Sequence, residues 1–128
     1  MLDAPHDIPE TRETRLHREA VDLLTFLERQ ERLSWLHPAD GLALAGGERE
    51  RRAAIARFRR LGMRGGVPDL IVAAPGGVTG WVELTTGGRL SAAQAGWCDG
   101  LRRMGHNHKV VRDMDGLVAM LRGLGVMA

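Results

Sequence analysis

The chain has 128 residues, 44% hydrophobic and 27% charged, which suffices for one domain around a single core. No apolar run approaches the roughly 20 residues that a membrane helix needs, and the N-terminal residues are too polar for a secretory signal. One cysteine, Cys98, excludes a disulfide framework and a zinc site built on several thiolates. We therefore expect a cytoplasmic protein with no membrane partner. Lys109 is the only lysine among 18 basic residues, and no P-loop is present.

The predicted elements alternate between helices and short strands. Leu16, Ala20, Leu23, Leu24 and Leu27 recur at helical spacing, and the later apolar runs are short and bounded by glycine or proline. In chain order we predict a helix at Thr11–Arg32, a strand at Ser34–His37, a turn at Asp40-Gly41, a loop at 42–47, a helix at Glu48–Leu61, strands at Leu70–Ala74 and Trp81–Thr85 around a Pro75-Gly76-Gly77 turn, a helix from the Ser91 cap to Met104, a strand at Lys109–Arg112 and a helix at Asp115–Leu124.

This order predicts an α/β fold, with a small mixed β-sheet flanked by helices. The two central strands form a hairpin. We expect residues 1–12 to be a flexible N-terminal arm and residues 13–128 to be a single domain.

Charge is unevenly distributed along the chain. The net charge is +2 overall, but residues 47–66 hold seven arginines against two glutamates. Such a concentration indicates either a surface that binds a polyanion or a solvated helix face. Composition alone leaves both interpretations open.

Two carboxylates are predicted to meet on the hairpin. With a turn centred near Gly77, Asp69 lies opposite Thr85, and Ile71 lies opposite Glu83. Because residues alternate between the faces of a strand, Asp69, Glu83 and Thr85 then share one face. The two acids are diagonal neighbours, roughly 7–8 Å apart at the backbone. A pair at this distance can hold a divalent cation such as Mg²⁺.

These residues lie in a sequence that resembles the VRR-NUC branch of the PD-(D/E)xK nuclease superfamily, of the stand-alone phage or bacterial type. The resemblance extends from about Arg18 to Leu121. The matching segments are Arg18-Glu19-Ala20, Trp35-Leu36-His37-Pro38-Ala39-Asp40-Gly41, Leu61-Gly62-Met63-Arg64-Gly65-Gly66-Val67-Pro68-Asp69-Leu70, Arg89-Leu90-Ser91-Ala92-Ala93-Gln94-Ala95-Gly96-Trp97 and Gly105 to Arg112.

The resemblance implies a restriction-endonuclease-like core and a site for Mg²⁺ or Mn²⁺. Asp69 and Glu83 would bind the metal, Glu19 would complete the site from the first helix, and the carbonyl of Leu84 would add a neutral ligand. Gln94 would orient water or substrate beside the metal.

Thr85 departs from the family pattern, because the family has a catalytic lysine two residues after the glutamate. A threonine hydroxyl can hydrogen-bond water or phosphate but carries no charge. Loss of one such stabilising donor typically costs about 100- to 1,000-fold in rate. Lys109 is a weak candidate to replace it, and Arg89 or Arg112 could supply charge. An active nuclease with reorganised chemistry, a natural pseudonuclease and an engineered inactive variant all remain open.

The resemblance favours phosphate binding for the basic segment. The residues expected to contact DNA are His37, Arg52, Arg59, Arg60, Arg64, Arg89 and Lys109. For Trp97 and Cys98 we favour packing in the core, and for the histidines we do not favour metal binding.

The leading interpretation is a metal-dependent DNA endonuclease. By resemblance it would be a homodimer that cuts branched DNA such as four-way (Holliday) junctions. A catalytically degenerate DNA-binding module is the alternative, and an interaction protein that kept only the fold is the third.

Overall fold

The computed structural model describes residues 9–38 and 46–128. The predicted turn at Asp40-Gly41, most of the 42–47 loop and the first eight residues of the predicted arm lie outside these ranges. The elements are α1 (Arg12–Arg29), β1 (Ser34–Leu36), α2 (Glu48–Arg60), β2 (Leu70–Ala74), β3 (Val78–Leu84), α3 (Ala92–Arg103), β4 (Asn107–Val111) and α4 (Met114–Gly123).

The helix starts follow side-chain capping. Thr11 caps α1 by accepting a hydrogen bond from the N–H of Thr14, and Asp113 caps α4 in the same way. The first helix ends at Arg29, not at the predicted Arg32. Glu31 adopts a φ of 59°, which lies in the left-handed region, so the chain has already left the helix there.

The four strands form one mixed sheet in the order β1-β2-β3-β4. The first two pairings are antiparallel, whereas β3 and β4 pair in parallel through α3. A short 3-10 turn at Pro75–Gly77 joins β2 to β3. The predicted α/β fold with a small mixed sheet is therefore confirmed.

The main core lies between α1, α4 and one face of the sheet. Leu70, Val72, Val82 and Leu84 supply that face, with exposed fractions of 0 to 4%. Leucines on both helices pack against them. These four residues share a face because side chains alternate along the two strands.

The opposite face of the sheet lies under α3. Trp97 of α3 stacks on Trp81 of β3, with ring centroids 6.4 Å apart. Cys98 and Leu101 are buried on this helix. The predicted core position of Cys98 is confirmed, whereas Trp97 is only half-buried. The face therefore carries a thinner apolar layer and leaves room for polar groups.

One of these polar groups is His108, whose side chain is buried without a hydrogen-bond partner on either ring nitrogen. Burial lowers the pKa of its imidazole, and the positive charge of Arg102 lowers it further. The unfolded chain therefore binds the proton more readily, and stability is lost as the pH falls through the unfolded pKa of about 6.5.

Replacing His108 with leucine is expected to reduce the loss of folding stability at acidic pH. Between about pH 7.5 and about pH 5.5, the native protein should lose more free energy of unfolding than His108→Leu, because only the native protein must bury a charged ring or break its packing. Urea denaturation at both pH values measures this difference. Equal losses would show that His108 does not govern the acid response.

Helix α2 is more exposed than the other described helices, each of which has buried residues. It contains no buried residue, and its apolar side chains Ala54, Ile55 and Phe58 are only half-buried. Leu61, directly after the helix, is 78% exposed. The arginines of α2 are therefore displayed on the surface. In the described part of the chain, no helix is long and apolar enough to cross a membrane.

Candidate active site

Asp69 and Glu83 face each other at the open end of the hairpin. The register pairs Leu70 with Val82 and Ile71 with Trp81, which places Asp69 directly across from Glu83. The prediction that Asp69 lies opposite Thr85 was wrong by two residues. β3 begins at Val78, so the turn is centred on Gly76 and not on Gly77.

A slip of two residues keeps every side chain on its face, whereas a slip of one would reverse it. The two acids therefore lie on one face, as predicted, although the predicted register was wrong. The structure also brings the acids closer, because they are direct rather than diagonal neighbours.

Asp69 is held by the backbone of the neighbouring strand. Its Oδ2 atom accepts a hydrogen bond of 2.7 Å from the N–H of Leu84. The preceding residue, Pro68, is buried and fixes the entry into β2. One carboxylate oxygen is thus anchored, and the orientation of the group is set before any ligand arrives.

Glu83 is an acid buried without a compensating positive charge. Its exposed fraction is 3%. Burial, followed by the negative charge of Asp69, raises the pKa of Glu83 to about 8, and the hydrogen bond from Gln94 opposes the rise. Among the described residues, no ion pair involves either carboxylate. The pair therefore favours a bound proton or a cation at neutral pH.

Gln94 is oriented by the cap of α3. Its backbone N–H donates to Ser91 Oγ (3.1 Å), and its Oε1 accepts from the N–H of Ser91 (2.8 Å). This capping box uses the amide oxygen, so Nε2 is directed at Glu83 Oε1, 3.0 Å away. The structure brings Gln94, Glu83 and Asp69 together as the sequence predicted.

Helix α1 presents Glu13 to the acid pair, and not Glu19. A cavity of about 320 Å³ opens beside Asp69, and Glu13 lies close enough to Glu83 to contribute to its raised pKa. Glu19 instead lines a separate cavity with Arg112. The cavity beside Asp69 is lined by Glu13, Thr14, His17, Arg18, Asp69 and Leu84.

The placement of Glu19 in the site was therefore wrong, and the helix pattern contains the signal that was missed. Leu16, Ala20, Leu24 and Leu27 form the buried stripe of α1. One step of three residues back from Leu16 leads to Glu13, so the stripe continues into the site at its N-terminal end.

Two histidines form the wall beside Asp69. Nδ1 of His37 lies 2.5 Å from the carbonyl oxygen of Asp69, so this nitrogen carries the proton and donates it. The ring of His17 meets His37 edge-on, with centroids 5.0 Å apart. The contact of His37 with DNA stays a prediction, and its visible role is to hold the Asp69 backbone.

Thr85 occupies the position at which the resemblance predicts a lysine. Its N–H donates to the carbonyl of Val111 (3.0 Å), and its hydroxyl donates to the carbonyl of Gly87 (2.9 Å). The hydroxyl thus closes the turn after β3. It is engaged with the backbone, so it supplies neither a charge nor a free proton to the acid pair.

Lys109 cannot replace the missing lysine from its place in β4. It pairs in register with Val82, whereas Glu83 pairs with Val110. Partners in register lie on the same face of a sheet, so the side chain of Lys109 leaves on the face opposite the acids. Its candidacy as a substitute is therefore wrong.

The other predicted DNA contacts include several arginines that are exposed on the surface. Arg52 is paired with Glu48 on the same helix, and the guanidinium of Arg64 lies 5.0 Å from the centre of the Trp97 ring. Arg59, Arg60 and Arg89 are exposed. A role in DNA binding stays a prediction for each of them.

The folded chain resembles a solved structure described as a VRR_NUC domain protein. The TM-score is 0.60, over 91% of this chain and 90% of that protein, at 14% sequence identity. This chain has the VRR-NUC fold. Its sheet and flanking helices form the restriction-endonuclease-like core that was expected. No family model matches the sequence, and neither does any curated protein.

On the VRR-NUC fold of this chain, the acid pair fits a hard divalent cation. Mg²⁺ is typically held by one or two carboxylates together with waters and substrate phosphates, so a cage of protein ligands is not required. Within residues 9–38 and 46–128, no three His, Cys, Asp or Glu side chains form a ready metal cluster. The donors on offer are therefore Asp69 and Glu83, whose crowded charges a cation would relieve.

Gly66 joins the loop before Asp69 to the start of α3. Its φ is +73°, and an added Cβ would lie 2.5 Å from the Cβ of Ala93 and 2.8 Å from the N of Gln94. Gly66→Ala should therefore destabilise the fold by about 2–4 kcal/mol, through backbone strain and a clash that cannot be relieved cheaply. Urea denaturation measures this loss.

Gly65→Ala is the matched control, because its added Cβ meets nothing within 4 Å. It should change the free energy of unfolding by less than about 1 kcal/mol. Similar losses in the two variants would contradict the close packing of the loop on α3.

Proposed function

We propose that the protein is a metal-dependent DNA endonuclease that hydrolyses phosphodiester bonds. The observation that carries this proposal is the pair formed by the buried Glu83 and the half-buried Asp69, which lie across from each other and have no ion-pair partner among the described residues. The likeness in fold to a VRR_NUC domain protein supports it. Two acids that repel each other on a rigid hairpin cost stability, and a cation that they share offsets the cost.

In this proposal, Asp69 and Glu83 hold Mg²⁺ or Mn²⁺. A cation bound there supplies Lewis acidity and lowers the pKa of water at the phosphate. Glu83 must lose its proton to bind the cation, and Gln94 Nε2 stabilises the ionised form by donating to Oε1. Leu84 N–H and the His37 ring keep Asp69 in place from two sides.

We further propose a preference for branched DNA, with two sites in a homodimer. The closed symmetry of a dimer would place its sites on a two-fold substrate such as a four-way junction. The exposed arginines of α2 would contact backbone phosphates, which gives salt-sensitive binding with little dependence on sequence. Such activity belongs in the cytoplasm of a bacterial or phage-infected cell.

A second candidate is a DNA-binding module without cleavage. Thr85 favours it, because its hydroxyl is bound to the Gly87 carbonyl and no lysine replaces it. This candidate predicts salt-sensitive DNA affinity in the native protein and no hydrolysis with any divalent metal.

A cleavage assay on linear, flapped and four-way DNA separates the candidates. With Mg²⁺ or Mn²⁺ the native protein should cut, and a chelator should stop it. Asp69→Asn keeps an acceptor for Leu84 N–H but loses the charge, so cleavage should fall about 1,000-fold or more.

The matched control is Asp99→Asn, an exposed acid on α3, which should cut as the native protein does. DNA binding by the native protein without cleavage would support the second candidate. Cleavage that survives in Asp69→Asn would contradict the assignment of the site.

A further inference from the structure

A second cavity, of about 480 Å³, lies along α3. Its volume falls in the usual range of small-molecule sites, about 300–1,000 Å³. We call it the Trp97 cavity. The residues that define it are Arg64, Ala93, Gly96, Trp97, Gly100 and Met104.

The indole of Trp97 is fixed on one side and lightly covered on the other. It stacks on Trp81 at an interplanar angle of 22°, and its Nε1 donates to the carbonyl of Gly65 (3.3 Å). The other cover is the guanidinium of Arg64, which is exposed to solvent. The indole is therefore held rigidly, whereas the exposed Arg64 side chain over it can move.

Gly96 and Gly100 lie inside α3, where glycine weakens a helix. A Cβ at either position would meet nothing within 4 Å, so packing within the chain does not require glycine there. Their effect is to leave the helix backbone bare beside the indole. Another molecule can approach α3 closely at this point.

The Trp97 cavity is connected to the acid pair through the first turn of α3. Ala93 lines the cavity, and the next residue, Gln94, donates to Glu83. Gly66 packs against Ala93 from the loop that leads to Asp69. A DNA strand with one phosphate at the acids would therefore have a neighbouring nucleotide at the cavity.

We propose that the Trp97 cavity binds one unpaired base of the DNA strand, stacked on the Trp97 indole beside the cleaved phosphate. Every base has a face that can stack on an indole, so the site needs no sequence preference. Unpaired bases are present in flaps and other single-stranded segments and absent from continuous duplex. The inference rests on the proposed function, since it takes DNA as the substrate.

Charge favours a nucleotide over a second copy of this chain. Arg64 lies at the cavity, and Arg102 and Arg103 lie in the last turn of α3, next to Met104. A two-fold contact between copies through this face would bring these like charges together. Phosphates on either side of a bound base would neutralise them.

The test fills the cavity without removing the indole. Gly96→Leu and Gly100→Leu place a side chain where a base would lie, and they should keep or raise the melting temperature because leucine is a better helix former. Gly123→Leu, on α4, is the matched control, because its Cβ also meets nothing within 4 Å.

The readout is fluorescence anisotropy with a labelled single-stranded oligonucleotide in Ca²⁺, intact or with an abasic site at successive positions. The native protein should lose about 5- to 100-fold in affinity when one position is abasic. Gly96→Leu should bind intact DNA about that much more weakly and should ignore the abasic site. Gly123→Leu should behave as the native protein does.

Unchanged binding by Gly96→Leu and Gly100→Leu would overturn the inference while native cleavage still supports the proposed function. A change of oligomeric state in these variants, with DNA affinity intact, would also overturn it and assign the face to self-association. A native protein that neither binds nor cuts DNA would remove the proposed function and this inference together.

Discussion

Replacing Glu83 with glutamine is expected to stabilise the metal-free protein at neutral pH. The native carboxylate has a pKa of about 8 in the folded chain and about 4.5 in the unfolded chain. As the pH rises from about 4.5 to about 8, the unfolded state loses this proton first, so the native protein becomes progressively less stable. Glutamine keeps the acceptor for Gln94 Nε2 and carries no charge. The expected gain is about 2–4 kcal/mol near pH 7.

The same substitution should remove the response to divalent cations. Mg²⁺ or Mn²⁺ should raise the melting temperature of the native protein, because a ligand that binds only the folded state stabilises it. Glu83→Gln should show no such rise and should not cleave DNA. Asp99→Asn is the control, and it should respond to the cations as the native protein does.

Urea denaturation at several pH values, with and without metal, measures both effects. The gain from Glu83→Gln should disappear below about pH 4.5, where the carboxyl is protonated in both states. If Glu83→Gln were less stable than the native protein at neutral pH, this would contradict the conclusion that burial and the charge of Asp69 raise the pKa of Glu83.

Replacing Thr85 with lysine is expected to increase the rate of DNA cleavage by about 100- to 1,000-fold. Thr85 lies directly after β3, two residues beyond Glu83. Its N–H still donates a hydrogen bond to the carbonyl of Val111. A lysine there leaves the backbone on the same face as the two acids. Its ammonium would stabilise negative charge that develops on the phosphate. The lost hydroxyl bond to Gly87 lies in an exposed turn and should cost about 1 kcal/mol.

Thr86→Lys is the matched control. It adds the same charge one residue later. Because side chains alternate between the faces of a strand, this lysine points away from the acids and toward the cavity that Arg112 lines. Single-turnover cleavage of four-way DNA should accelerate only in Thr85→Lys. Equal acceleration by both variants would indicate stronger DNA binding through charge alone, and no acceleration would show that the site does not depend on this position.

The fold followed closely from local sequence signals. β2 has the predicted bounds, Leu70–Ala74, because a short apolar run is bounded by Pro68 and Pro75. The Ser91 cap of α3 was visible in the sequence, and with it the position of Gln94. Strand alternation separated the buried face from the acidic face, and this separation does not depend on the exact register.

The parts that were wrong depend on where distant elements meet. Predicting the hairpin register required knowing that the turn is centred on Gly76. A proline followed by two glycines does not specify which glycine is at the centre. Predicting that Glu13, and not Glu19, lies near the acid pair would have required the angle at which α1 crosses the sheet. Excluding Lys109 required its parallel pairing with Val82. The Trp97 cavity depends on Gly96 and Gly100 lying beside Trp97 on α3, which composition does not show.

We propose that Asp69 and Glu83 together bind one divalent cation. Titration with Mn²⁺, followed by electron paramagnetic resonance of the free ion, measures this directly without requiring cleavage. We expect one bound Mn²⁺ per chain in the native protein and in Asp99→Asn. Binding should be lost, or weakened about 100-fold or more, in Asp69→Asn and in Glu83→Gln. Equal Mn²⁺ binding by the native protein and both acid-pair variants, or no binding by the native protein, would contradict it.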